Sequence, residues 1–162
     1  MIQLIYNRSS FLFFALFIFL TVSCGKAPLV DKSMDVNETA WDVKEKLNID
    51  VRIDDTISTF NFYVKIRNTT DYKNSNFFLF IKTTFPNGQI AIDTLECILA
   101  DNQGKWFGKG NGKIKDSRIL LKKNAIFPMK GKYIFEIEHA MREKVTSGIK
   151  SIGFRIENNT NK

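Results

Sequence analysis

Apolar and polar residues alternate along this chain with a period of two, in runs that restart about every ten residues. Phe60, Phe62, Val64 and Ile66 alternate with Asn61, Tyr63, Lys65 and Arg67. Successive side chains of an extended chain point to opposite faces, so such a run has one buried face and one wet face. The same pattern governs Ile49 to Ile53, Lys132 to Glu138 and Ile149 to Glu157. Phe77 to Phe85 is apolar on both faces at its start, and Ile90 to Leu99 and Arg118 to Phe127 are further strand candidates. Turn chemistry separates the runs: Asn68 to Asn76, Pro86-Asn87-Gly88, Asp101 to Gly104, and Pro128 to Gly131. Helical character is confined to one turn expected at His139 to Lys144. The pattern predicts an all-β chain folded as an antiparallel β-sandwich of about eight strands, with one short helix near the C-terminus.

At 162 residues the chain is long enough for one domain. A body of this size buries about two-thirds of its unfolded surface, enough for a core without disulfides. Two Cys and one His exclude a multi-Cys zinc framework and a disulfide-dense scaffold. The organisation read from the sequence is a signal peptide over 1–23, a tether over 24–46, the sandwich over 47–157 and a flexible tail over 158–162. The signal contains the uncharged run FLFFALFIFLTV from Phe11 to Val22. As a helix it would reach only about 18 Å, short of a hydrocarbon core of about 30 Å. It fits the apolar region of a secretory signal. The run ends in Thr21-Val22-Ser23-Cys24-Gly25, which resembles the lipobox of bacterial lipoproteins, with Thr21 where Leu is usual. The resemblance implies a diacylglycerol on the Cys24 thiol and Cys24 as the new amino terminus. An acyl-anchored Cys24 would hold the body on a membrane while leaving it in water.

Enzyme signatures are missing. No Gly-x-Ser-x-Gly, phosphate-binding loop or His pair is present, and Gly104, Gly108, Gly110 and Gly112 read as a turn cluster. The chain is expected to be no enzyme and to take no metal or cofactor. Cys97 shares parity with Leu95 and Leu99 and reads as a small buried residue. His139 ends an apolar face and reads as structural. Glu136 and Glu138 share a strand face at about 6.6 Å, a separation open to paired carboxylates but commoner as solvated charge.

Charge placement says more. Between Gln103 and Lys132 stand nine basic residues opposed by Asp116 alone. This segregation marks a candidate docking surface at Lys113, Lys115, Lys122 and Lys123, facing anionic lipid headgroups or an acidic protein patch rather than nucleic acid. A solvated face without a partner accounts for it equally. Trp106 and Phe107 lie among glycines and lysines, either as binding aromatics or as a plug over an open end of the sandwich.

Several strings then occur in one order behind the lipobox. They are NSNFFLFIKTTF from Asn74 to Phe85, Pro86-Asn87-Gly88, Asp93-Thr94-Leu95-Glu96, Ala100-Asp101 and Gly104-Lys105-Trp106. Asn124, Phe127-Pro128, Gly131, Tyr133, Phe135 and Glu138-His139-Ala140-Met141-Arg142 follow. Over Ile49 to Glu157 the chain resembles the gliding motility lipoprotein GldH family of the Bacteroidetes. The resemblance implies a non-enzymatic cell-envelope lipoprotein of the gliding machinery, linked to type IX secretion and partnered by other envelope gliding or secretion proteins. The alternative is a membrane-anchored module binding a glycan or peptide. Gly25-Lys26-Ala27-Pro28 lacks the acidic run of surface-exported lipoproteins in this phylum, so an outer-membrane anchor facing the periplasm is expected. Asp55-Thr56-Ile57 and Asp93-Thr94-Leu95 resemble the phylum's short O-glycosylation sequon.

Cys24→Ala is expected to abolish acylation and leave the precursor uncleaved. Radiolabelled palmitate incorporation checks this, and equal labelling of variant and parent contradicts it.

Overall fold

The computed structural model describes residues 27–159. They form strands β1 (Val30–Asp35), β2 (Trp41–Asp42), β3 (Leu47–Ile53), β4 (Phe60–Thr69), β5 (Asn76–Thr84), β6 (Ile90–Ile98), β7 (Ile114–Ala125), β8 (Gly131–His139), β9 (Val145–Thr146) and β10 (Ile149–Asn158). Eight longer strands make two four-stranded antiparallel sheets, in the orders β1-β10-β4-β7 and β3-β8-β5-β6. The two-residue strands β2 and β9 pair separately. Apart from the β5–β6 hairpin, every connection between longer strands crosses from one sheet to the other, as in a sandwich.

The period-two runs fall where alternation puts them. Phe60, Phe62, Val64 and Ile66 of β4 face the interior, as do Ile152, Phe154 and Ile156 of β10. They meet Ile49 and Ile53 of β3, Leu79 and Ile81 of β5, and Tyr133, Phe135 and Ile137 of β8. The Pro86-Asn87-Gly88 turn closes the β5–β6 hairpin: Gly88 adopts φ 83° and its N–H donates to the Phe85 carbonyl at 2.9 Å.

The sandwich has two ends. Val30 pairs with Ile156, which pairs with Phe62, and Phe60 pairs with Ala125. Ile53 pairs with Gly131, and a Cβ on Gly131 would strike Pro86. One end therefore carries the start of β1 and loops 54–59, 85–89 and 126–130. The other end carries segments 36–46, 70–75, 99–113 and 140–148.

Three sequence expectations are corrected. No helix exists among the described residues: His139 is the last residue of β8, and 140–144 form a bend. A fully buried His139 between Trp41 and Phe77 holds this stretch in sheet geometry. Nor is the described part of 24–46 a tether. β1 adds to the edge of the β10 sheet, Val36 N–H donates to the Lys150 carbonyl at 2.9 Å, and Trp41 is 0% exposed. Trp41 stacks on Phe77 at 5.6 Å, and its indole N–H donates to the Glu45 carbonyl at 3.0 Å. The segment VDKSMD lacks apolar alternation because an edge strand covers little core, with only Val30 fully inward. Residues 158–162 were expected to be a tail; Asn158 instead ends β10, and 160–162 lie outside the described residues.

Truncating Trp41 tests the change of role. Trp41→Ala is expected to lower unfolding free energy by about 3–5 kcal/mol, read by chemical denaturation. A tether residue would give no change.

Candidate functional site

β7 decides how the basic segment is displayed. It rises about 3.3 Å per residue, so Lys113 and Lys122 stand about 30 Å apart. Lys113 and Lys115 lie at the end carrying loop 99–113, and Lys122 and Lys123 at the end carrying loop 126–130. The four lysines divide into two pairs and do not share one patch.

Acids distant in sequence come to meet this segment. Arg118 bonds Glu157 of β10 at 2.5 Å and lies 3.8 Å over the Tyr63 ring. Lys132 pairs with Asp50 at 2.7 Å, and Lys113 approaches Asp71 at 3.9 Å. Lys115 donates to the Gly110 carbonyl at 2.8 Å. Among the described residues Lys123 makes no ion pair, and it is exposed. These are partly exposed pairs, each worth about 0–1 kcal/mol, so they neutralise charge more than they stabilise.

Lys122 differs from its neighbours. Register shifts between β4 and β7 set it opposite inward-facing Phe62. The bulge turns its ammonium across the open seam between the sheets, where it bonds Asp93 of β6 at 2.7 Å. Behind this pair lies an apolar cavity of about 230 Å³, walled by Phe62, Phe85, Phe127, Tyr133 and Phe135. No sequence signal reveals it, because the bulge and the meeting of two strand edges are tertiary events.

Trp106 and Phe107 take different roles. Trp106 bridges Ala100 and packs half-buried against the core. Phe107 donates its N–H to the Leu99 carbonyl at 2.9 Å and leaves its ring 60% exposed. Alternation along an extended segment puts one ring in and one ring out.

The remaining chemical candidates are held in structural contacts. Cys97 is fully buried, and burial, with a smaller effect of Glu96, pushes its thiol up to about 12. Glu136 bonds Lys82 and Glu138 bonds Lys46, each at 2.6 Å. Among the described residues no cluster of three or more His, Cys, Asp or Glu is placed to hold a metal ion. Cys24 lies outside the described residues, three positions before Ala27.

The chain matches the GldH lipoprotein family profile over residues 29–156. It is similar to a gliding motility lipoprotein GldH homolog of Christiangramia forsetii, with 34% identity covering 95% of this chain and 99% of the relative. It is also similar to gliding motility lipoprotein GldH of Flavobacterium johnsoniae, with 32% identity covering 85% of this chain and 89% of the relative. Among solved structures, the Yersinia pseudotuberculosis-derived mitogen shows 9% identity and a TM-score of 0.36, covering 84% of this chain and 91% of its own. That likeness is too distant to bear on fold or function.

His139 supplies a pH test. Its ring lies edge-on to Trp41 at 5.0 Å. Burial lowers its pKa, outweighing the nearby backbone of Lys144 and Trp41 and the charges of Asp42 and Glu138, which favour the cation. The unfolded chain takes up this proton near pH 6.5 and the folded chain only at lower pH. Stability from the neutral ring is full above about pH 6.5 and falls as the pH drops toward the folded value, by at most about 1.4 kcal/mol per pH unit. Thermal midpoints of the parent should decline from about pH 7.5 to about 5.5, and His139→Leu should flatten that slope. Identical slopes contradict the assignment.

Proposed function

Because the chain belongs to the GldH lipoprotein family, we propose that this gliding motility lipoprotein is a non-enzymatic assembly component of an envelope machine linked to type IX secretion. It is lipid-anchored in the cell envelope, as its family implies. We place the anchor on Cys24, in the outer membrane, with the body facing the periplasm.

One observation carries the assembly reading. The residues best suited to chemistry are engaged within the fold, while residues at the end away from β1's start face solvent. Cys97 is sealed, His139 is buried and the two glutamates are bound to lysines. Phe107, Lys109 and Lys113 stand exposed on segment 99–113. An exposed aromatic ring on a lysine-bearing segment suits a protein partner with a negatively charged surface. The apolar cavity behind Lys122 and Asp93 favours a second reading, a module binding a small apolar group.

Charge reversal separates these. Lys113→Glu with Lys115→Glu should leave the thermal midpoint nearly unchanged and reduce recovery of envelope partners from detergent-solubilised membranes, as should added salt in the parent. Lys122→Glu with Lys123→Glu should leave that recovery intact. Equal recovery for parent and the first pair sinks the docking assignment. Glycan binding lost in Trp106→Ala would instead support a ligand-binding module.

A further inference from the structure

We propose that the end of the sandwich carrying the start of β1 rests on the bilayer, with Ile57 and Ile126 inserted into its interface. The proposal builds on the assignment of the lipid to Cys24.

The covalent leash is the first argument. Three residue steps lead from Cys24 to Ala27, a span of no more than about 11 Å. Val30, three residues further on, is already paired to Ile156 in the sheet. The headgroup layer is itself about 5–8 Å thick. A lipid on Cys24 therefore keeps this end beside the membrane. The opposite end lies about 30 Å further along β4.

The composition of this end is the second argument. Ile57 is 90% exposed and Ile126 58% exposed. Neither projects from a slack loop. The Asp55 carboxylate accepts the N–H groups of Ile57 at 2.8 Å and Ser58 at 2.9 Å, fixing the turn that points Ile57 outward. The Ser58 hydroxyl, with those two amides, holds the Asp55 carboxyl down to about 2, so the turn keeps its charge through neutral and mildly acidic pH. Ile126 is aimed out because Phe127, next along the chain, is driven in, where its ring lies 5.2 Å from Phe60 and 5.0 Å from Tyr133. The Tyr133 hydroxyl donates to the Met129 carbonyl at 2.9 Å and closes the same loop. Two braced loops from different parts of the chain thus expose an isoleucine each at this end, Ile126 at the mouth of the seam cavity.

Leu29, Ile90 and Ile92 add exposed apolar surface at this end. Exposed Lys123 and Lys130 stand at this end with the exposed carboxylates Asp54 and Asp55 beside Ile57. Apolar tips with lysines on the neighbouring loop suit an interfacial membrane contact, in which apolar groups enter the headgroup boundary while the charged groups stay at headgroup level. The other end also exposes apolar residues, Ile98, Phe107 and Val145, but the leash holds it away. Membrane contact at one end leaves Phe107 and Lys113 free for a protein.

Fluorescence quenching by bromine-labelled acyl chains tests this on the full acylated chain in phosphatidylethanolamine–phosphatidylglycerol vesicles. Both native tryptophans, Trp41 and Trp106, lie at the distal end and should be quenched little. Ile57→Trp and Ile126→Trp should each raise quenching about twofold or more over the parent. Vesicle flotation and the intact mass are measured on the same samples. Flotation with no added quenching overturns the orientation while leaving the Cys24 anchor standing. Flotation that persists in Cys24→Ala, or an intact mass without lipid on the membrane-extracted parent, overturns the Cys24 anchor and the orientation with it. A glycan on Thr56, visible in the intact mass, would hold Ile57 in water and overturn the insertion. Ile57→Ser with Ile126→Ser should keep flotation and lower Trp-independent membrane protection of the two loops from protease; unchanged protection also counts against it.

Discussion

Phe62 touches both halves of the molecule, and the rest of the fold is arranged around that contact. From β4 it meets Phe154 of β10 at 6.1 Å within its own sheet, and Phe135 of β8 at 6.2 Å across the interior. Phe127 joins at 5.5 Å from the β7–β8 loop. Each such ring contributes about 1.5–3 kcal/mol by burial, and each well-placed ring pair about 0.5–1.5 kcal/mol more. A half-buried sheet cannot stand alone, so the inward rows of the two sheets must meet. That requirement fixes register, because a slip of one residue would carry Phe62 to the wet face.

The consequences run outward from this core. Two four-stranded sheets leave edges at β6 and β7 on one side and at β1 and β3 on the other. On the first side a bulge in β7 sends Lys122 across the seam to Asp93. On the outer face of the β1 sheet, charges form a chain. Asp31 binds both Lys65 and Arg155, and Glu157 binds both Arg155 and Arg118. This chain ties the edge strand to the three strands beside it with little demand on apolar residues. At the end away from β1's start, Trp41, Phe77 and His139 close the core together.

The division into two ends gives the molecule its working geometry. On the proposed Cys24 anchor, one end would be leashed to the membrane by a few residues, and it carries exposed Ile57 and Ile126. The other carries an exposed aromatic and lysines. A strand such as β7 joins them and distributes to both ends a basic run that is continuous in sequence. Under the proposed assembly role one surface would serve the membrane and another a protein, and strands about 30 Å long keep the two ends apart.

What the amino-acid order determined by itself was periodic and local. Alternation placed β3, β4, β8 and β10, because the buried face of a half-buried strand is written every second residue. Pro86-Asn87-Gly88 wrote its own turn, because positive φ at Gly88 is a local requirement. The parity of Cys97 with its neighbours foretold its burial, and the ordered strings from Asn74 to Arg142 pointed to the family whose profile matches residues 29–156. Tertiary structure decided the rest. The segment Val30–Asp35 became a strand because β10 offered an unpaired edge, a fact absent from its own residues. His139 ended a strand and not a helical turn because Trp41, almost a hundred residues earlier, packs on it. The basic run acquired Glu157, Asp93, Asp50 and Asp71 as partners because antiparallel strands bring distant acids to it. Its lysines were parted for the same reason that made the run look continuous. Neighbours in an extended strand are close in sequence, yet ten of them span the length of the molecule.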